Sequence, residues 1–213
     1  GMVDDDVVER SNLQRQVLHG EADVGRPKVE SAAEAVAALN PDVTVEAFET
    51  RFDAGNAMEL VTDYDVVLDA SDNFPTRFLV NDACVLTETP FVHGAVYQFE
   101  GQLTTVSGGG EPCYRCLFPE APPAGTVPNC ATAGVLGVLP GTIGAMQATE
   151  AIKLLLDVGE PLTEAVIYYD ARNPGTETVE LRRRPDCPIC GDDPDIGSVA
   201  DVTYEGGCTA DAD

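Results

Sequence analysis

Asp65-Val66-Val67-Leu68-Asp69-Ala70, followed at once by Ser71-Asp72-Asn73, decides the fold. The first six residues read as a compact apolar strand, buried on both faces if its sheet is parallel. The next three leave its C-terminal end and lead into a helix through about Leu86. Outward from this stretch the pattern alternates. Upstream, Gly25-Arg26-Pro27-Lys28 opens a helix with Pro27 in its first turn. Val29, Ala32, Ala33, Val36 and Leu39 recur at helical spacing, and Asn40-Pro41 stops the run. Val43 to Phe48 reads as a strand and Ala54 to Val61 as a short helix. Downstream, Pro90 to Val96 and Gln102 to Val106 are further strands. Strand and helix in turn predict an α/β fold, a doubly wound, Rossmann-like mixed sheet with crossover connections.

The second half differs. Gly108 to Val138 is rich in Gly, Pro and Cys and weak in periodicity, as expected of a functional or metal-tied loop. Gly141 to Leu156 is a helix with Ile143, Met146, Ile152 and Leu155 on one side. Ala165 to Tyr169 and Thr176 to Leu181 form a hairpin around Asn173-Pro174-Gly175. From Asp192 the chain is acidic and poor in hydrophobic residues, so the expected division is a domain over 1–191 and a tail over 192–213.

The chain has 213 residues, 37 acidic and 12 basic, for a net charge of −25 at pH 7. That field repels nucleic acid phosphates and anionic lipid, so neither is expected as a general partner. Lys28 and Lys153 are the only lysines. Acid spread over an otherwise ordinary apolar chain suits a salt-filled cytoplasm, where self-repulsion is screened. A halophilic, archaeal source and a cytoplasmic location are expected. No apolar run approaches the roughly 20 residues needed to span a bilayer.

The seven cysteines carry the strongest chemical signal. Cys113-x-x-Cys116 and Cys187-x-x-Cys190 can each place two thiolates on one metal, and together complete a tetrahedral sulfur site. Residues 117–186 lie between the pairs, far more than in a zinc ribbon, so the site is expected to staple distant parts of a fold with structural Zn²⁺. The alternative is two unrelated redox or buried pairs. Cys130 stands alone in the long loop, either an attacking thiolate or a small buried hydrophobe. Cys84 reads as core, as does His93, and His19 as part of a surface turn. Cys208 has no physical account.

A second constellation lies at the ends of the expected strands. Asp4 sits where a strand ends, where doubly wound folds bind nucleotides, and can accept hydrogen bonds from ribose hydroxyls. Arg15 follows a short turn expected to be capped by Ser11, and Lys28 opens a helix. Both can reach phosphate oxygens. Asp72 leaves the apolar strand and can hold Mg²⁺. Singly these are solvated surface charges. Together they describe a ribose clamp, a phosphate clamp and a metal carboxylate.

Ser11-Asn12-Leu13-Gln14-Arg15-Gln16, Gly25-Arg26-Pro27-Lys28, Ser71-Asp72-Asn73, Glu111-Pro112-Cys113-Tyr114-Arg115-Cys116 and Cys187-Pro188-Ile189-Cys190 resemble, in order, the motifs of the MoeB/ThiF/HesA family, prokaryotic relatives of ubiquitin-activating enzymes. The acidic composition makes the likeness strongest to archaeal activators of ubiquitin-like proteins, the UbaA type. The resemblance implies an enzyme that binds ATP·Mg²⁺ and the C-terminal Gly-Gly tail of a small ubiquitin-like or sulfur-carrier protein. The tail's carboxylate attacks the α-phosphorus, an acyl-adenylate forms and pyrophosphate leaves. It implies Asp4 on the ribose, Asn12, Arg15 and Lys28 on the phosphates with Gln16 nearby, and Asp72 as the Mg²⁺ and catalytic carboxylate. It makes the paired cysteines structural zinc ligands, Cys130 the crossover-loop thiol that some members use for a thioester, and the protein a homodimer. One departure stands out: the family's glycine-rich GxGGxG loop would fall before Gly1. An N-terminally truncated form with weak or no ATP turnover is therefore expected. Competing readings are an NAD-type oxidoreductase, a non-catalytic zinc-stapled module that docks ubiquitin-fold partners, and a tRNA-modifying dehydratase of the same family.

Overall fold

The structure, a computed structural model, describes residues 1–122, 134–173 and 175–204. Two units can be distinguished, Gly1–Phe52 and Asp53–Asp213. In the first, strands β1 (Met2–Val3) and β2 (Ala47–Phe48) pair in parallel, Met2 opposite Ala47 and Val3 opposite Phe48. Helix α1 (Lys28–Leu39) lies between them in sequence, with Pro27 at its N-cap. Val29 and Ala32 are buried, whereas Leu39, expected on the apolar stripe, is 87% exposed. The strand expected from Val43 is only two residues long, because a strand lasts only where a neighbour supplies hydrogen bonds and β1 offers two residues. A 3₁₀ turn over Arg10–Asn12 is capped by Glu9 rather than Ser11. The Glu9 N–H donates to Asn12 Oδ1 at 2.9 Å, and the Ser11 hydroxyl donates to the Glu9 carboxylate at 3.0 Å instead.

The second unit begins with α2 (Ala57–Thr62) and β3 (Val67–Asp69). Helix α3 (Phe74–Leu86) follows, with the Asn73 side chain accepting from the Thr76 N–H at 2.9 Å as its N-cap. Strands β4 (Phe91–Tyr97) and β5 (Glu100–Val106) come next, then the one-turn α4 (Tyr114–Leu117), α5 (Leu139–Leu156), β6 (Ala165–Asp170) and β7 (Thr176–Glu180). The sheet order is β3-β4-β5-β6-β7. β3 and β4 are parallel, and the other neighbours are antiparallel. A mixed α/β sheet of Rossmann-like character is therefore present, and the expected hairpin is β6–β7. β3 corrects one expectation: Leu68 is 45% exposed, so the strand is not buried on both faces. Its carboxylate, not its leucine, goes inside; Asp69 is 3% exposed.

Helix α5 also departs from the expected stripe. Leu139, Ile143, Gln147, Glu150 and Ala151 are buried, while Ile152 and Leu155 are about half exposed. Two polar residues can be buried because each finds a backbone partner. Gln147 Nε2 donates to the carbonyls of Asp69 (2.7 Å) and Val92 (3.1 Å), and Glu150 accepts the Leu162 N–H at 2.7 Å. The helix lies against the sheet where glycines leave room. A Cβ on Gly94 would sit 2.3 Å from Gln147 Cδ, and one on Gly101 would sit 2.4 Å from Ile143 Cδ1. Val92, Leu103 and Ala151 form the core of this face. His93 is directed to the other, where its ring centroid is 4.7 Å from that of Tyr114 and Tyr114 packs on Phe78 and Phe118.

Candidate functional site

The two cysteine pairs come together. All four sulfurs lie within 4.8 Å of one another, and all four residues are buried. Cys113 and Cys187 sulfurs are 3.6 Å apart, Cys116 and Cys190 3.4 Å, and Cys113 and Cys190 3.4 Å. Tetrahedral sulfurs about 2.3 Å from Zn²⁺ would be roughly 3.8 Å apart, so a small inward ion fits with minor expansion. The all-sulfur donor set selects a soft or borderline ion. The thiols of the cluster hold Cys116 well below the usual thiol range, and the Arg184 N–H, 3.3 Å from its sulfur, adds to the effect. The first cysteine pair is fixed to α3. Arg115 makes a two-point bond to Asp82, Nε to Oδ1 at 2.7 Å and a terminal nitrogen to Oδ2 at 2.6 Å. Asp82 is fully buried and also accepts from Asn81 Nδ2 (2.9 Å) and the Tyr204 hydroxyl (2.9 Å). Asn81 Oδ1 takes the Tyr114 N–H at 2.7 Å. Residues within the stretch expected to be a tail, 192–213, thus pack against this region: Val199 is 1% exposed.

In the first unit, the expected ligands are unevenly placed. Lys28 Nζ is 2.5 Å from Asp6 and 3.6 Å from Asp4, so its charge is already met by carboxylates. Burial alone would lower its pKa, but Asp6 and Asp4 hold it above the ordinary lysine range. The expected ribose carboxylate and phosphate lysine are therefore brought together, but as an ion pair that a ligand must reorganise. Arg15 donates to the Ser11 carbonyl at 2.9 Å. Asn12 is 5% exposed and its side-chain oxygen serves as the turn's cap, so it does not stand free as a phosphate contact. Gln16 Oε1 is buried and has no hydrogen-bond partner among the described residues, an open acceptor at a position expected near the nucleotide. Asp4, Asp5 and Asp6 also cluster closely enough to share a cation, but Asp5 and Asp6 are exposed.

In the second unit, Asp72 is exposed where the chain leaves β3. It borders a cleft of about 100 Å³ whose lining includes Ser71, Arg77, Gly94, Pro140 and Gln147. The cleft opens where parallel strands β3 and β4 end, the usual binding position of an open α/β sheet. Arg77 donates to the Ser71 carbonyl at 3.1 Å and lies over the Phe74 ring at 5.3 Å. Beneath the turn, Asp69 Oδ1 accepts from the Ser71 N–H (3.0 Å) and hydroxyl (2.6 Å), and Oδ2 is 2.7 Å from His93 Nδ1. Burial alone would raise the Asp69 carboxyl; the His93 hydrogen bond and charge, with Arg77 and Ser71, reverse this and hold it below the usual range. Cys84 is buried, as expected of core, and burial pushes its thiol up. Cys130 and Cys208 lie outside the described residues.

The sequence matches the model of the ThiF family over residues 1–189. The chain belongs to the ThiF family. It is 60% identical over 212 residues to a protein of Haloferax volcanii named SAMP-activating enzyme E1, covering 100% of this chain and 78% of that one. It is 51% identical over 213 residues to the sulfur carrier protein adenylyltransferase of Thermus thermophilus, covering 98% and 78%. It also matches an adenylyltransferase and sulfurtransferase of Sus scrofa, MOCS3, at 48% identity over 213 residues, covering all of this chain and 46% of that one. Among solved structures, Escherichia coli MccB shares the fold at a TM-score of 0.77 and 22% identity, with 90% of this chain and 57% of that chain covered. Among the described residues, no helix is long and apolar enough to cross a membrane.

Several residues of these sites carry only weak signals in the sequence. Arg77 sits four positions past Asn73 on the helix that the Ser71-Asp72-Asn73 motif opens, a spacing that places it back over the turn. Gln147 and Glu150 interrupt an apolar helix, and that polar interruption was their signal. Asp69, the lone acid at the end of an apolar strand, carried a similar signal. Its partner His93 is set by cross-strand register, with Asp69 opposite His93.

Proposed function

We propose that this ThiF-family chain adenylates the C-terminal carboxylate of a small ubiquitin-like or sulfur-carrier protein. The observation that carries this reading is the narrow cleft at the β3–β4 end, with Asp72 and Arg77 on its border and small residues Ala70, Gly94 and Ala95 in its wall. We assign this cleft to the extended Gly-Gly tail, which brings no side chains to it. The names of the Haloferax and Thermus relatives support the same class of activity.

In this reading residues 1–191 act as the adenylation domain. Asp4 binds ribose, and Arg15, Lys28, Asn12 and Gln16 bind the phosphates. Lys28 exchanges its Asp6 partner for phosphate. Asn12 contributes through the turn it caps. Asp72 would hold Mg²⁺, which would supply charge neutralisation at the phosphates. Arg77 steadies the Ser71 carbonyl and adds positive charge beside the attacking carboxylate. The tail's oxygen bonds to the α-phosphorus as the bond to pyrophosphate breaks, leaving an acyl-adenylate. The chain's own contribution is positioning and charge placement. The four cysteines would hold Zn²⁺ through sulfur alone, a donor set that would stabilise the fold rather than react. Cys130 is the thiol proposed to receive the acyl group, its sulfur bonding to the acyl carbon as the bond to AMP breaks and AMP leaves. The protein acts in the cytoplasm as a homodimer.

The test is ATP–pyrophosphate exchange by the natural full-length protein with a Gly-Gly-ended ubiquitin-fold carrier. Exchange should require the carrier and Mg²⁺ and should fall at least about 100-fold in Asp72→Ala. Carrier binding without exchange would overturn this reading and favour a non-catalytic docking module.

A further inference from the structure

Three side chains meet beneath the turn that carries Asp72. Asp69 divides its carboxylate between two tasks: Oδ1 holds the Ser71 N–H and hydroxyl, and Oδ2 takes the hydrogen bond from His93 at 2.7 Å. A carboxylate only accepts, so His93 Nδ1 carries the hydrogen. Both side chains are 1% exposed, so no solvent can replace either partner. The other ring nitrogen of His93, Nε2, is buried with no hydrogen-bond partner among the described residues. Asp69 is thus the single hydrogen-bonding partner of this ring among the described residues. The register that sets Asp69 opposite His93 makes the pairing a product of β3–β4 alignment.

We infer that His93 is a positioning residue for Asp72: by holding one oxygen of Asp69 it fixes the other on Ser71, and so sets the turn that presents Asp72 to the cleft. The inference deepens the proposed adenylation and rests on that reading for its link to activity. A histidine serving only as core filling would be replaceable by an apolar side chain. Here an apolar replacement would strip the donor from a buried carboxylate oxygen. The carboxylate would then either turn away from Ser71 or take a proton and accept from it more weakly, and either outcome loosens the turn. Gln147 holds the backbone carbonyl of Asp69 from the opposite face, so the strand end should stay in place while the turn loosens.

The experiment compares His93→Leu with His93→Asn, whose amide can restore a donor near the position of Nδ1. Amide hydrogen exchange is measured across 69–83 in the natural full-length protein. The Leu variant should speed exchange at Ser71 by about tenfold or more, with Leu79 to Ala83 in α3 unchanged; the Asn variant should return Ser71 to within about threefold of wild type. In pyrophosphate exchange, the Leu variant should lower kcat about tenfold or more while KM for the carrier stays within about twofold. Unchanged protection at Ser71, equal loosening throughout α3, or no rescue by Asn would overturn the inference. Wild-type protein that shows the exchange pattern but no adenylation would instead overturn the functional reading, because the amide measurement needs no nucleotide.

Discussion

Two clusters in this molecule bring metal-competent groups together, and they differ in almost every physical respect. Cys113, Cys116, Cys187 and Cys190 are buried and set from two distant stretches of chain. Asp4, Asp5 and Asp6 are consecutive, with Asp5 and Asp6 exposed, and the nearby Lys28 already compensates Asp4 and Asp6. Proximity is common to both. What separates them is the cost of leaving the groups without an ion. Exposed carboxylates are solvated by water and a lysine, so they can wait. Among the described residues the four buried thiols have one another and a few backbone donors, and a shared metal ion would satisfy sulfurs that water does not reach. Burial and donor chemistry, rather than closeness, make the sulfur cluster the candidate metal site.

The largest effect expected is on the sulfur cluster. Cys116→Ala, or removal of metal by a strong chelator, should cost more than about 4 kcal/mol and empty the site. Metal content by elemental analysis, with unfolding midpoints, checks this. A full complement of metal in Cys116→Ala would break the comparison. Next is the Arg115–Asp82 pair that anchors the first cysteine pair. Arg115→Leu leaves a fully buried carboxylate short of its cation and should cost about 3–5 kcal/mol in urea unfolding.

Asp69 sharpens the comparison, because it is a carboxylate with the burial of the cysteines. Its folded pKa is depressed, so its stabilisation is complete above the unfolded value of about 3.9 and is lost as pH falls through the folded value. Wild-type protein should lose about 1–3 kcal/mol more than Asp69→Asn between neutral pH and pH of about 2.5. Parallel pH profiles of the two proteins would refute that. The smallest stability change is expected at the exposed cluster. Lys28→Met should shift stability by less than about 1 kcal/mol while weakening ATP binding about tenfold, read by calorimetry on the full-length protein.

Much of this contrast was legible in the sequence. The C-x-x-C spacing announced the sulfur site because a tetrahedral ion demands two short pairs, whatever lies between them. Ser71-Asp72-Asn73 marked the strand-to-helix turn because Asn73 is a strong helix cap. Asp69 and His93 were not legible as partners. Register between β3 and β4 pairs residues far apart in sequence, and no local pattern encodes it. The inward turn of Asn12 was hidden for a related reason: a side chain that can cap a turn and one that can bind phosphate are the same residue type. The exposure of Leu68, Ile152 and Leu155 likewise shows that an apolar pattern marks a strand or helix face without saying what covers it.

Gly94 and Gly101 give the sheet two notches, filled by Gln147 and Ile143 one helical turn apart. The helix is therefore keyed to the sheet at two points, much as a two-toothed latch engages a bar. Sliding it by a single residue would drive both side chains into backbone, so the distance from helix to strand ends cannot be adjusted gradually. Evolution along this seam should proceed by paired exchanges, a larger residue on a strand accompanied by a smaller one on the helix, and seldom by either alone.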